Sequence, residues 1–127
     1  MHRLRILVAE DEALIAMYLG ETLAEMGHDV CATEATQAGL VAAAARCSPD
    51  LMIVDARLGG GSGVLAVEEI LKQGFIPHVF ASGDRRALRR LEADSVVIEK
   101  PFHEAELARA IERAIAGAPP ARPAAPA

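Results

Sequence analysis

Short apolar runs alternate along the chain with longer stretches in which apolar residues recur every three or four positions. Arg5–Ala9 (RILVA) predicts a first strand. Ile15, Leu19, Leu23 and Met26 then recur at helical spacing, and Gly27 supplies a stop. Asp29–Thr33 predicts a second strand. Ala35–Arg46 predicts an alanine-rich helix with Ala38, Val41, Ala42 and Ala45 on its inner face, broken by Ser48-Pro49. Leu51–Val54 is unbroken apolar, the pattern of a strand covered on both faces. Val64, Val67 and Leu71 mark a third helix that ends near Gly74. Pro77–Ala81 predicts a fourth strand, Arg85–Leu91 a short fourth helix and Ser95–Ile98 a fifth strand. Leu107, Ala110, Ile111 and Ala114 place a fifth helix over Glu104–Ala116.

Strand then helix, repeated five times, predicts a parallel α/β sheet with helices on both faces, doubly wound through right-handed crossovers. Five strands and five helices in a chain of this length fit the flavodoxin-like order 2-1-3-4-5, an order taken from fold analogy because spacing alone does not set it. Residues 1–117 are expected to form one domain. Beyond Gly117, APPARPAAPA has no hydrophobic period, and Ala118–Ala127 reads as a flexible or polyproline-like tail.

Composition narrows the function classes. The 127 residues are 52% apolar but only 3% aromatic with no Trp, so the core must be aliphatic. A net charge of −5 argues against broad binding to nucleic-acid phosphates. Cys31 and Cys47 lack metal-type spacing and read as small residues of a reduced protein. No apolar leader follows Met1, and no segment approaches the roughly 20 apolar residues of a membrane span, so a cytoplasmic location is expected.

The polar residues at the strand ends carry the candidate chemistry. Ligands of open α/β sheets collect at the carboxyl ends of the strands, near the switch in strand order. Strand one ends in AEDE, bringing Glu10 and Asp11. Strand three ends at Asp55, strand four at Ala81-Ser82-Gly83, and strand five in EKPF with Lys100. Each has a plain structural alternative: acids favour a helix's first turn, Ser82 could cap a turn, and Lys100 could be a solvated charge. Their joint placement at one end of one sheet points to a shared crevice. Three close carboxylates repel one another unless a cation joins them, and Mg2+ suits hard oxygen donors. No His or Cys converges there, which argues against zinc. A free carboxylate beside such an ion suits phosphoryl transfer to Asp55, with Ser82 and Lys100 meeting phosphoryl oxygens.

ILVAEDE, the aspartate of IVDARL, FASG and EKPF together resemble the receiver domain of two-component response regulators, over residues 3 to about 116. The resemblance implies that Asp55 is the phosphoacceptor. It implies that Asp11 binds Mg2+ directly, that Glu10 acts more through water, and that the backbone carbonyl of Arg57 completes the protein's share of the metal shell. Ser82 takes the place of the switch hydroxyl and Lys100 that of the family lysine, with a cis Lys100–Pro101 bond. Arg57 and Asp84 fall where receivers tune the hydrolysis of the phosphoryl group. Such a protein is a signalling phosphoacceptor, catalysing only its own phosphorylation and dephosphorylation. Its expected partners are a histidine kinase or histidine phosphotransfer protein and a downstream protein not identified by the sequence.

Two departures stand out. Gly59 occupies a position where the family often has proline, which should loosen that loop. Val97 stands where many receivers carry an aromatic switch, so the common hydroxyl–aromatic coupling is unavailable. FASG is similar to the Phe-Ala-Thr-Gly run of a stand-alone receiver subgroup that also lacks the aromatic. Signalling is therefore expected through ordering of Ser82–Leu91.

Two rival readings remain at this point. GSGVLA (Gly61–Ala66) matches a weak G-x-G-x-x-A phosphate loop, but it follows the third strand rather than the first. A receiver-shaped interaction protein that never takes phosphate is the other. Arg85, Arg86, Arg89 and Arg90 read as a solvated face, with an acidic-partner patch as the alternative. DNA binding is disfavoured by so short a run, and a homodimer through helices four and five stays open.

Overall fold

The computed structural model describes residues 3–91 and 95–117. In chain order the elements are β1 (Arg5–Ala9), α1 (Ala13–Glu25), β2 (Asp29–Glu34), α2 (Gln37–Cys47), β3 (Leu51–Asp55), β4 (Arg57–Leu58), β5 (Gly61–Ser62), α3 (Gly63–Leu71), β6 (His78–Ser82), α4 (Arg85–Arg89), β7 (Val97–Glu99) and α5 (Glu104–Ala116). The main sheet is parallel in the order β2-β1-β3-β6-β7. This is the expected flavodoxin-like order, with β4 and β5 forming a separate antiparallel hairpin. The predicted tail, Ala118–Ala127, lies outside the described residues.

The unbroken apolar runs are explained by burial on both sheet faces. Odd and even residues of a strand point to opposite faces, so a central strand needs apolar side chains at every position. Ile6, Val8, Ile53 and Val79 pack with Leu19 and Leu23 of α1 and with Leu107 and Ile111 of α5. Leu7, Met52, Val54 and Phe80 pack on the other face with Leu40 of α2 and Val67 and Ile70 of α3. Register aligns the strand ends: Ala9 pairs with Val54, Asp55 with Ala81, and Ser82 with Glu99.

The structure corrects several details. The buried face of α2 is Leu40, Ala43 and Ala44, not Ala38, Val41, Ala42 and Ala45. Alanine carries so little hydrophobic contrast that the single leucine decides which side faces the sheet. This helix also starts later than predicted, because the Thr36 hydroxyl accepts the Gly39 N–H at 3.0 Å and so caps it. Strand five runs Val97–Glu99 rather than Ser95–Ile98, and α4 stops at Arg89. The β4–β5 hairpin was not anticipated; its reversal uses Gly60 at φ 71°, a left-handed conformation that favours glycine.

His28, between α1 and β2, is 5% exposed. Its Nδ1 accepts the Leu4 N–H at 3.1 Å, so the proton sits on Nε2, which has no hydrogen-bond partner among the described residues. Burial lowers the pKa of the ring from 6.5. The unfolded chain therefore binds the proton first as pH falls, and stability present above the unfolded value is lost below it. Glu112 lines the same apolar recess, and Asp29 is engaged by Arg3. The urea midpoint is expected to drop between about pH 7.5 and about pH 5.5, and His28→Phe should drop less over that window. Equal slopes for the two proteins would remove His28 from the account.

Candidate functional site

Four parallel strands deliver side chains to one rim. Glu10 follows β1 directly and is 4% exposed, while Asp11 beside it is exposed. Asp55 closes β3 and is half-buried. Ser82 closes β6 at 2% exposure, and Lys100 follows β7. The Lys100 N–H donates to the Ser82 carbonyl at 2.9 Å, which clips the two strand ends together. The Lys100–Pro101 bond is cis.

Lys100 is the hub of the cluster. Its Nζ donates to Asp55 Oδ2 at 2.8 Å and to Glu10 Oε1. Burial works against its charge, but the hydrogen bonds to Asp55 and Glu10 outweigh that and raise its pKa above 10.5, so it is an ammonium at neutral pH. Burial raises the Glu10 pKa, with Lys100 pulling the other way. Glu10 Oε2 also accepts the Glu12 N–H at 3.1 Å, so both of its oxygens are engaged. On Asp55, Oδ1 accepts the Arg57 N–H at 3.0 Å.

A cleft of about 670 Å³ opens over this cluster, with Asp11, Asp55, Arg57, Ser82, Asp84 and Lys100 in its walls. Arg57 Nη1 reaches to 3.9 Å from Asp84 Oδ2. The Asp84 N–H donates to Ser82 Oγ at 3.0 Å, and Asp84 Oδ1 accepts the Arg86 N–H at 2.9 Å, which starts α4. Val97 is half-buried and packs against the core on the α2–α3 side.

One oxygen each of Glu10, Asp11 and Asp55 lies within 4.8 Å of the others. Three acids against one ammonium leave an excess of negative charge. The donors are all oxygen, and neither His nor Cys lines the cleft among the described residues. That donor set fits a hard divalent cation such as Mg2+ and does not fit zinc.

Sequence reasoning missed two residues here. Tyr18 of α1 is half-exposed in the cleft wall, where no motif marks it. Gln37, at the start of α2, holds the β4–β5 hairpin through a side chain 25 positions away in sequence from its partner Ser62. No periodic signal reports such a contact.

A family model described as the response regulator receiver domain matches residues 6–112. The transcriptional regulatory protein PdtaR of Mycobacterium tuberculosis is 34% identical over 115 residues, 87% of this chain and 56% of PdtaR. The phyllosphere-induced regulator PhyR of Methylorubrum extorquens is 32% identical over 114 residues, 87% of this chain and 43% of that protein. The chain thus spans about half the length of these curated relatives. The solution structure of the Erythrobacter litoralis PhyR response regulator REC domain superposes with a TM-score of 0.82 at 34% identity. It covers 96% of this chain and 98% of that one.

Proposed function

The chain belongs to the response regulator receiver domain family, and from that premise we propose that Asp55 accepts a phosphoryl group from the phosphohistidine of a histidine kinase or histidine phosphotransfer protein. The observation that carries the reading is the Glu10–Lys100–Asp55 cluster with Asp11 at its edge: one strand-end carboxylate held by an ammonium, beside a second acid open to the cleft.

In the transfer, a carboxylate oxygen of Asp55 attacks phosphorus. The O–P bond forms as the P–N bond to imidazole breaks, and the imidazole nitrogen keeps the bonding pair and takes up a proton. Lys100 keeps Asp55 oriented beforehand and, once the acyl phosphate exists, pairs with a phosphoryl oxygen. The Ser82 hydroxyl hydrogen-bonds another. Asp11, Asp55 and the Arg57 backbone carbonyl would hold Mg2+, with Glu10, occupied by Lys100, acting through water. The ion would offset charge on the transferred group. Arg57 and Asp84, facing each other across the cleft, flank the approach of hydrolytic water and tune the lifetime of the adduct.

Output goes to a downstream protein. Ser82 Oγ holds the Asp84 N–H, and Asp84 caps α4. Drawing the hydroxyl toward a phosphoryl group therefore disturbs the start of that helix. Val97 offers no ring to rotate, so the switch runs through Ser82–Leu91. Residues 1–117 form the receiver unit of this reading.

Beryllofluoride with Mg2+ mimics an aspartyl phosphate and tests the proposal. The wild type should bind it one to one with altered amide exchange over Ser82–Leu91, and Asp55→Asn should not bind. A wild type that ignores it would favour a receiver-shaped interaction protein that works without phosphate.

A further inference from the structure

Gln37 sits on α2, outside the cleft, yet its side chain is tied to the loop that leaves Asp55. Its Oε1 accepts the Ser62 N–H at 3.0 Å. Ser62 pairs with Arg57 across the hairpin, and the Arg57 N–H in turn donates to Asp55 Oδ1 at 3.0 Å. The path is contiguous: Gln37 to Ser62, across one ladder step to Arg57, and on to the carboxylate.

The two hairpin strands are anchored unequally. Leu58 is 3% exposed and pins β4 to the core. Gly61 and Ser62 send no apolar side chain inward, so β5 depends on polar ties. Gly61 packs directly on Gln37: a Cβ there would meet Gln37 Oε1 at 2.8 Å and Gln37 Cβ at 3.2 Å. On the other side, the Cβ position of Gly59 lies 3.7 Å from the Ala35 carbonyl and 3.9 Å from Asp11 Cβ. Ala35, between β2 and α2, and Gln37, at the start of α2, therefore back the Gly59 and Gly61 ends of the turn, whose Gly59-Gly60-Gly61 run has no stiffness of its own.

We propose that Gln37 is a positioning residue for Asp55, fixing the carboxylate's orientation and the placement of the Arg57 carbonyl by clamping β5 from α2. The role rests on the reading of Asp55 as phosphoacceptor. Groups that orient the ligands of a metal site contribute without touching the ion, by narrowing the set of loop conformations that bind it.

Two substitutions separate the hydrogen bond from packing. Gln37→Glu keeps an acceptor at the same reach; Gln37→Met keeps length and bulk but accepts nothing comparable. Amide exchange of the full chain without Mg2+ is the first readout. In Gln37→Met the Ser62 and Arg57 amides should exchange about ten-fold faster, and in Gln37→Glu both should keep wild-type protection. The second readout is phosphoryl uptake from acetyl phosphate against Mg2+ concentration. Gln37→Met should raise the half-saturating Mg2+ about ten-fold while leaving the plateau in place. The proposal is overturned if Arg57 keeps its protection in Gln37→Met, if both variants lose it equally, or if the Mg2+ curve does not move. A wild type that takes up no phosphoryl group defeats the acceptor reading instead, whatever the exchange data show.

Discussion

Lys100→Met is expected to destabilise the Mg2+-free protein by on the order of 3 kcal/mol at neutral pH, because it strips the ammonium from a buried acid pair. The side chains of Glu10, Asp55 and Lys100 are only 2%, 12% and 15% exposed, so water does little of the screening. Methionine keeps most of the packing of the lysine stem and removes the charge together with its two hydrogen bonds. Glu10 and Asp55 would then face each other and Asp11 with no cation between them, and burial already favours the protonated form of Glu10. The sign of the pH effect follows. As pH falls into the carboxylate range the acids neutralise, the ammonium has less to offset, and the gap to wild type should close. Urea denaturation at neutral and at acidic pH measures this. A gap that stays constant with pH would show that the lysine acts through packing and not charge.

Gly63→Ala should cost at least about 3 kcal/mol, at the upper end of the usual overpacking penalty. A Cβ at Gly63 would stand 1.9 Å from the Asp55 carbonyl oxygen and 2.7 Å from Val54 Cγ1. The first of these is backbone of a central strand and cannot swing away. Relief requires α3 to retreat or the end of β3 to bend, and the latter moves Asp55 itself. The variant should therefore melt well below wild type, and whatever folds should bind beryllofluoride more weakly. A near-wild-type melting temperature would mean that the close approach of α3 to β3 is not required.

Much of this architecture was legible in the sequence because the central strands are buried on both faces. Ile6–Ala9 and Leu51–Val54 allow no polar residue, so the first polar side chain after each run marks the sheet's rim and hence the candidate site. Glu10, Asp55 and Ser82 stood out for that reason, whereas Lys100 lies one place past Glu99 and stood out through EKPF. The inner face of α2 did not, because five alanine methyls look alike to a periodicity argument and one leucine sets the outcome. The hairpin was hidden too: two-residue strands leave no pattern, and the glycines of GSGVLA suggested a phosphate loop. In the structure Gly61 makes room for Gln37 and Gly63 for the Asp55 carbonyl, so packing accounts for both. The engagement of Glu10 by Lys100 joins residues 90 apart in sequence and is visible only once the strand order is known.

The central claim is that residues remote along the chain converge to make one carboxylate a phosphoryl acceptor. Intact-mass measurement after incubation with acetyl phosphate and Mg2+, followed by borohydride trapping and peptide mapping, tests it most directly. The account predicts a single phosphoryl adduct on the wild type, mapped to Asp55 and absent from Asp55→Asn and from the wild type under EDTA. An adduct mapped to another residue, or an unchanged mass in a sample trapped within seconds of mixing, would contradict it.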